Sequence, residues 1–287
     1  MVRICHQVLV LLQYIVIKGG RNLAFFSDVS FFLSVNLGII KTRSDTVKNT
    51  GQEFMQKTKA QNLSESDQKH GFEQPPLEKS FDGEMIELPS IETLPKQSIL
   101  LDEAIMQRKT LRKYSENPIT TEELSYLIYQ SQGIKVLHPQ ATKRTVPSAG
   151  ARHAFDLYLL INNVKGIEEG LYLYIPSKHA LGIIKQNDSI KKDLELACFN
   201  QVMISSSAVT FILAANIYRM SYRYVERGYR YIHLDAGHVV QNLYLTSEAI
   251  NAGTCAIAAF NDDAVNEVLS LDGTNEFAVY LATIGKK

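Results

Sequence analysis

Arg108-Lys109-Thr110-Leu111-Arg112-Lys113-Tyr114 decides the reading, taken together with Pro147-Ser148-Ala149-Gly150-Ala151-Arg152 further along the chain. The first stretch sets several cations beside a hydroxyl, just past an apolar run (Ile99, Leu100, Leu101, Ala104, Ile105) at helical spacing. Such a cluster suits a phosphate, because a guanidinium fork grips two oxygens at once and a hydroxyl fills a third. The second is a turn-forming run of small residues, where backbone can approach a flat ligand closely. Taken alone, a basic cluster of this kind is more often a solvated helix end.

The two stretches in this order resemble the flavin-binding signature of the nitroreductase-like superfamily. Within it they resemble the SagB/ThcOx-type branch, which includes the McbC-like azoline dehydrogenases. Further blocks follow in that family's order: 166–174, 222–231, 235–245 (Asp235-Ala236-Gly237-His238 at its start), 253–260, 271–273 and 276–280. The resemblance implies an α+β, nitroreductase-like fold with a mainly antiparallel central sheet flanked by helices. It also implies a homodimer with FMN at the subunit interface. The mixture of strands and helices, without a regular strand-helix-strand repeat, points to the same fold class.

By this resemblance Arg108, Lys109, Thr110 and Arg112 match phosphate and ribityl contacts of FMN, with Thr110 where the family more often has serine. Pro147, Ser148, Ala149, Gly150 and Arg152 match the segment under the isoalloxazine ring. Ala258 and Ala259 match a stretch near the ring that often carries glycine, and Lys286 lies where basic residues tend to approach the phosphate. The family's characteristic lysine-tyrosine pair matches Arg223 and Tyr224. Azoline dehydrogenation removes a proton from carbon and passes a hydride to flavin N5, which demands a base beside the ring. Arginine stays protonated, so Arg223 cannot be that base. Tyr224 is the candidate, assisted by the charges of Arg223, Arg227 and Arg230. The competing reading makes this Arg/Tyr-rich stretch a basic, aromatic face leading into a long helix.

Composition excludes several classes. Of 287 residues, 45% are hydrophobic and 21% charged, as in an ordinary globular protein. The formal net charge is zero, which gives no reason to expect nucleic acid or an anionic membrane as partner. Cys5, Cys198 and Cys255 are odd in number and scattered, so a reducing, cytoplasmic compartment is expected. No glycine-rich dinucleotide fingerprint follows a strand, so NAD held in a Rossmann mode is not indicated. No metal is expected. His233 and His238 do not share a helix face, His138, His153 and His179 lack ligand spacing, and Asp262-Asp263 reads as a helix cap. Asp235 is spaced to pair with His238.

The chain divides into 1–48, a hydrophobic extension; 49–95, an extended arm or linker; and 96–287, the FMN-binding domain. The apolar runs in 1–40 admit a membrane tether, but the late start of the resemblance favours packed helices or an upstream translation start. From Ser98 a capped helix is expected to about Arg108. Thr120 and Glu123 form a capping box ahead of Leu124, Leu127 and Ile128, with Gly133 ending that helix. Strands are expected at Phe155–Ile161, Leu171–Ile175, Val209–Ala215, Thr254–Ala259 and Phe277–Ile284. Helices are expected at Ile190–Phe199, at Tyr231–Ile250, and after a cap at Asp262.

The leading functional expectation is a SagB-type FMN-dependent oxidoreductase dehydrogenating an azoline-type heterocycle in a modified peptide, within or beside a peptide-modifying complex. The alternatives are a general NAD(P)H-dependent nitroreductase or quinone reductase acting on a small molecule, and a non-catalytic flavin-binding scaffold.

Overall fold

The computed structural model describes residues 49–187 and 189–287; the apolar runs of the first 48 residues lie outside them. Residues 54–287 group as one unit. In chain order the elements are α1 (Thr50–Lys57), α2 (Asp67–His70), β1 (Met85–Glu87), α3 (Leu101–Gln107), β2 (Ile119–Thr120), α4 (Thr121–Gln132), β3 (Ile134–His138) and β4 (Ala141–Arg144). Then come β5 (Phe155–Ile161), β6 (Val164–Lys165), β7 (Gly170–Ile175), β8 (Ala180–Lys185), α5 (Ile190–Ala197), α6 (Met203–Ser206), β9 (Val209–Asn216) and α7 (Ile217–Tyr224). The chain ends with α8 (Gly228–Ala249), β10 (Ala252–Ile257), α9 (Asp262–Leu269) and β11 (Glu276–Lys286).

A seven-stranded sheet in the order β1-β8-β7-β5-β9-β11-β10 forms the middle layer, with every pairing antiparallel. The period-2 alternation of β5 explains the layering. Phe155, Leu157, Leu159 and Ile161 pack on one face with Leu124, Leu127 and Ile128 of α4 and Ile232, Val239, Val240 and Leu243 of α8. Tyr158 and Leu160 face the other side, with Ile190 and Leu194 of α5 and Val265 and Leu269 of α9. Both faces are covered, so this is an α+β fold with a buried antiparallel sheet.

The capping box forms as expected: Thr120 accepts from the Glu123 N–H, and the Glu123 carboxylate accepts from the Thr120 N–H. Three helix starts differ from expectation. α3 begins after Leu100 rather than Ser98, and Asp102 and Glu103 in its first turn complement the dipole without a hydroxyl cap. The cap of α9 is Asn261, which accepts from Ala264 N–H, while Asp262 and Asp263 occupy its first turn. α8 starts three residues early, at Gly228. Within 49–95, expected to be extended, the chain forms α1 and α2 and adds β1 to the sheet edge through Met85 opposite Gly182. Among the described residues no helix is long and apolar enough to cross a membrane.

Candidate functional site

The basic stretch leaves the end of α3, meets the outer edge of β10 at Thr254 and crosses to β11 at Lys286. Leu111 N–H donates to Thr254 O at 3.0 Å, Ser115 N–H donates to Lys286 O at 3.0 Å, and Thr110 bridges to Thr254. This close docking requires Gly253, where a Cβ would lie 2.6 Å from Leu111 Cδ2. Tyr114 pins the far end, its hydroxyl 2.7 Å from Thr283 Oγ1 and donating to Leu111 O at 2.9 Å. Burial pushes that phenol far above its ordinary range, so it stays a neutral donor.

The docked segment presents its polar groups outward. The Arg108 guanidinium lies over the Tyr244 ring, 5.2 Å from its centroid. Thr110 Oγ1 is 3.2 Å from the Tyr244 hydroxyl, which also accepts from Ala256 N–H at 3.0 Å. Lys109, Thr110 and Arg112 are exposed and Arg108 is half-buried. None of the three cations pairs with a carboxylate among the described residues. A hydroxyl, guanidinium groups without a carboxylate partner and an ammonium on a fixed backbone make a donor set suited to a phosphate. Lys286 is not part of it: its ammonium donates to Glu123 Oε1 at 2.5 Å and to Ile250 O at 2.7 Å. It ties the end of β11 to α4.

The turn 147–153 is the second half of the site. Gly150, Ala151 and His153 have φ of 57°, 54° and 44°. Left-handed backbone is uncommon for residues with a Cβ and concentrates at functional positions. A Cβ on Gly150 would collide with the Tyr224 hydroxyl and lie 3.0 Å from Arg223 Nη1. The expected Pro147–Arg152 segment therefore meets the expected Arg223–Tyr224 pair. The Arg223 guanidinium lies 5.6 Å from the Tyr224 ring centroid, and Tyr231 meets the same ring edge-on at 4.8 Å. The next residue, Val225, has φ 50° and ψ −139°, a strained geometry for a β-branched side chain.

Other expected residues lie differently. Arg152 is buried: its Nε donates to Arg219 O at 2.9 Å, its Nη1 approaches Gln74 Oε1 at 3.3 Å, and it covers the Tyr222 ring. Arg227 and Arg230, expected to support Tyr224, instead donate to carbonyls at the end of α1, Thr58 O and Met55 O. A helix C-terminus draws cations to its free carbonyls. Ala258 and Ala259 are exposed just past β10, with Ala259 O accepting from Gln201 Nε2 at 2.7 Å. A cavity of about 450 Å³ walled by Glu87, Tyr129, Tyr174 and His179 contains none of the expected residues.

Two residues not expected to belong to the site organise its halves. Asp235, expected to pair with His238, accepts from Ser148 Oγ at 2.6 Å and Ala149 N–H at 3.3 Å. Tyr244 holds Arg108 and Thr110. Both lie on α8 nine positions apart, so at about 100° per residue they face opposite sides, about 13 Å apart along the axis. Their presence in the 235–245 block was the available signal.

His153 gives the turn a pH dependence. Burial, with the Arg144 charge adding to it, pushes the imidazole down to about 3, below its free value of about 6.5. The unfolded chain then binds the extra proton first, so this stability is present above about pH 6.5 and is lost as pH falls toward 3. Urea unfolding at pH 7 and pH 4.5 should show wild type losing about 2–3 kcal/mol more than His153→Asn, a side chain that tolerates φ above zero. Equal losses would mean that His153 is not held neutral.

The Nitroreductase family model matches residues 105–286. A Methanocaldococcus jannaschii protein assigned as a nitroreductase is 34% identical over 202 residues, covering 70% of this chain and 96% of its own. The trifolitoxin-processing protein of Rhizobium leguminosarum bv. trifolii is 30% identical over 143 residues, 48% of this chain and 38% of that protein. Among solved structures, a Ralstonia eutropha protein assigned as a nitroreductase superposes with a TM-score of 0.57 at 21% identity, over 70% of this chain and 89% of its own. The Escherichia coli microcin synthetase complex McbBCD, solved with truncated pro-MccB17 bound, does so at 0.54 and 17%, over 82% and 86%. The matched region spans the basic stretch, the strained turn and the last strand, and on that evidence the chain belongs to the nitroreductase family.

Proposed function

We propose that this protein is an FMN-dependent oxidoreductase of the SagB type, working as a homodimer and dehydrogenating an azoline-type heterocycle in a modified peptide. The observation that carries the reading is the bare backbone of Gly150 set against Tyr224 and Arg223. Only a residue without a Cβ lets the turn approach that closely, which sets its backbone directly against an acid–base group. The residues present fit FMN: Arg108, Lys109, Thr110 and Arg112 would hold its phosphate, the 147–150 backbone would lie along its ring, and Ala258 and Ala259 would flank it. When bound, the flavin supplies the hydride acceptor. Tyr224, acting as a phenolate stabilised by the fixed charge of Arg223, would take the proton from the substrate carbon and become the neutral phenol. Arg152 and Lys286 would act through the scaffold.

Two features support a dimer. The halves of the site lie on opposite faces of α8, so a ligand reaching both within one chain would have to pass around the helix. A second copy removes that obstacle. α8 also exposes Leu234, Gly237, His238 and Gln241, a stripe along one side of the helix. Similarity to the trifolitoxin-processing protein supports a role in processing a larger product. Cys198 and Cys255 are free thiols, in keeping with the cytoplasmic setting proposed. A second reading, a general NAD(P)H-dependent reductase, is favoured by Arg223 itself, since arginine cannot exchange a proton where the family has lysine.

The purified protein should be yellow, release FMN and not FAD on denaturation, and run as a dimer by light scattering. Arg108→Gln should weaken FMN retention by about 2–4 kcal/mol, as for other desolvated charge-assisted contacts. A colourless protein that takes up no added FMN, or a stable flavin-loaded monomer, would overturn the respective part of the reading.

A further inference from the structure

The buried carboxylate of Asp235 contributes nothing to the chemistry described above, yet its placement is specific. It is 5% exposed, on the buried face of α8. Both of its hydrogen bonds run to one turn: Ser148 Oγ donates at 2.6 Å and Ala149 N–H at 3.3 Å. Ser148 Oγ in turn accepts from His153 N–H at 2.9 Å. The carboxylate therefore grips the start of the segment that contains the left-handed Gly150 and Ala151, and through Ser148 Oγ it is linked to the segment's end at the left-handed His153. Such backbone persists only where its surroundings over-determine it.

We infer that Asp235 is a positioning residue: through Ser148 it holds the strained turn at the height where Gly150 sets the Tyr224 hydroxyl and the Arg223 guanidinium. The connection is short and contiguous, from Asp235 to Ser148 Oγ, to the turn backbone, to Gly150, and across a close contact to Tyr224. Burial raises the carboxyl above the ordinary aspartate range, and the two donors oppose that rise. An amide at 235 keeps the size but presents one acceptor oxygen where the carboxylate presents two. The turn would then lose one clasp and relax toward right-handed backbone, releasing its contact with Tyr224. The role in reaction rests on Tyr224 belonging to the active site; the positional claim can be tested without flavin or substrate.

The test is NMR of the full chain labelled at tyrosine ¹³Cζ, with the Tyr224 resonance identified by its loss in Tyr224→Phe. Asp235→Asn and Ser148→Ala should each shift the Tyr224 resonance while leaving that of Tyr114, hydrogen-bonded to Thr283 and Leu111, in place. Ser148→Thr, which keeps the hydroxyl, should restore the wild-type position. Asp235→Asn combined with Ser148→Ala should shift Tyr224 no further than the larger single change, because both break one linkage. A Tyr224 resonance unmoved in Ser148→Ala overturns the inference, even if Asp235→Asn fails to fold. A shift spread evenly over all tyrosines, or tracking only a lowered melting temperature, also overturns it, since that marks a general structural role. Absence of bound FMN would count against the proposed function and leave this result standing.

Discussion

Tyr224→Phe should slow reduction of the bound flavin by substrate on the order of 10²–10⁴-fold, the usual contribution of a positioned acid–base group, while FMN content stays at the wild-type level. The phenyl ring keeps the edge-on contact with Tyr231 and the cover of Arg223, so only the hydroxyl beside Gly150 is lost. Arg223→Lys should retain or raise the rate, restoring the residue usual in the resembling family. Arg223→Gln should be slower than Arg223→Lys because it removes the charge beside the phenol. Stopped-flow bleaching of the flavin, with an azoline-bearing peptide and separately with NADPH, reads both effects. If Tyr224→Phe is reduced at the wild-type rate by the peptide, the pair is structural and the general reductase reading takes over.

The largest effect on stability is expected at Arg219. Its Nη1 meets Asp156 Oδ1 at 2.7 Å with both side chains nearly fully buried, and its Nε donates to Pro76 O at 3.0 Å. Arg219→Leu leaves an uncompensated carboxylate beside β5, which costs about 3–5 kcal/mol in comparable buried pairs. Asp156→Leu should cost a similar amount for the opposite reason. Replacing both should cost less than the sum, because neither charge is then stranded. Urea midpoints for the four proteins decide the matter; additive losses would show that the two residues are not energetically a pair.

The elements written most clearly in the sequence were those specified by local signals. The capping box at Thr120 and Glu123 and the apolar runs of β5 and β9 needed no distant information. β1 was hidden because three residues carry too little pattern, and its pairing with β8 is set by a contact far along the chain. The same limit governed the cations. The basic stretch and the glycine turn were legible as types, and the structure brings the turn to Arg223 and Tyr224. Which arginine faces a ligand and which holds the scaffold depends on partners distant in sequence. Arg152 is held by Arg219 and Gln74, Arg227 and Arg230 by the end of α1, and Lys286 by Glu123. Asp235 stood within a quoted block, but its pairing with Ser148 became visible only once α8 was packed against the turn.

The course of residues 110–115 from the edge of β10 to β11 has a consequence for solubility. An antiparallel sheet with a bare outer strand offers its free amides and carbonyls to any other extended chain. Here one border is the very short β1, and at the other residues 110 and 111 cover β10 at Thr254 before the segment passes over Gly253 and Gly285 to Lys286 of β11. The stretch of chain that would grip an anion thus also blocks the edge of the apolar strand Ala252–Ile257 near its middle, at Thr254. Fraying of that stretch would leave the core packed while uncovering a surface that templates self-association, so loss of the anion would register first as turbidity, ahead of any unfolding.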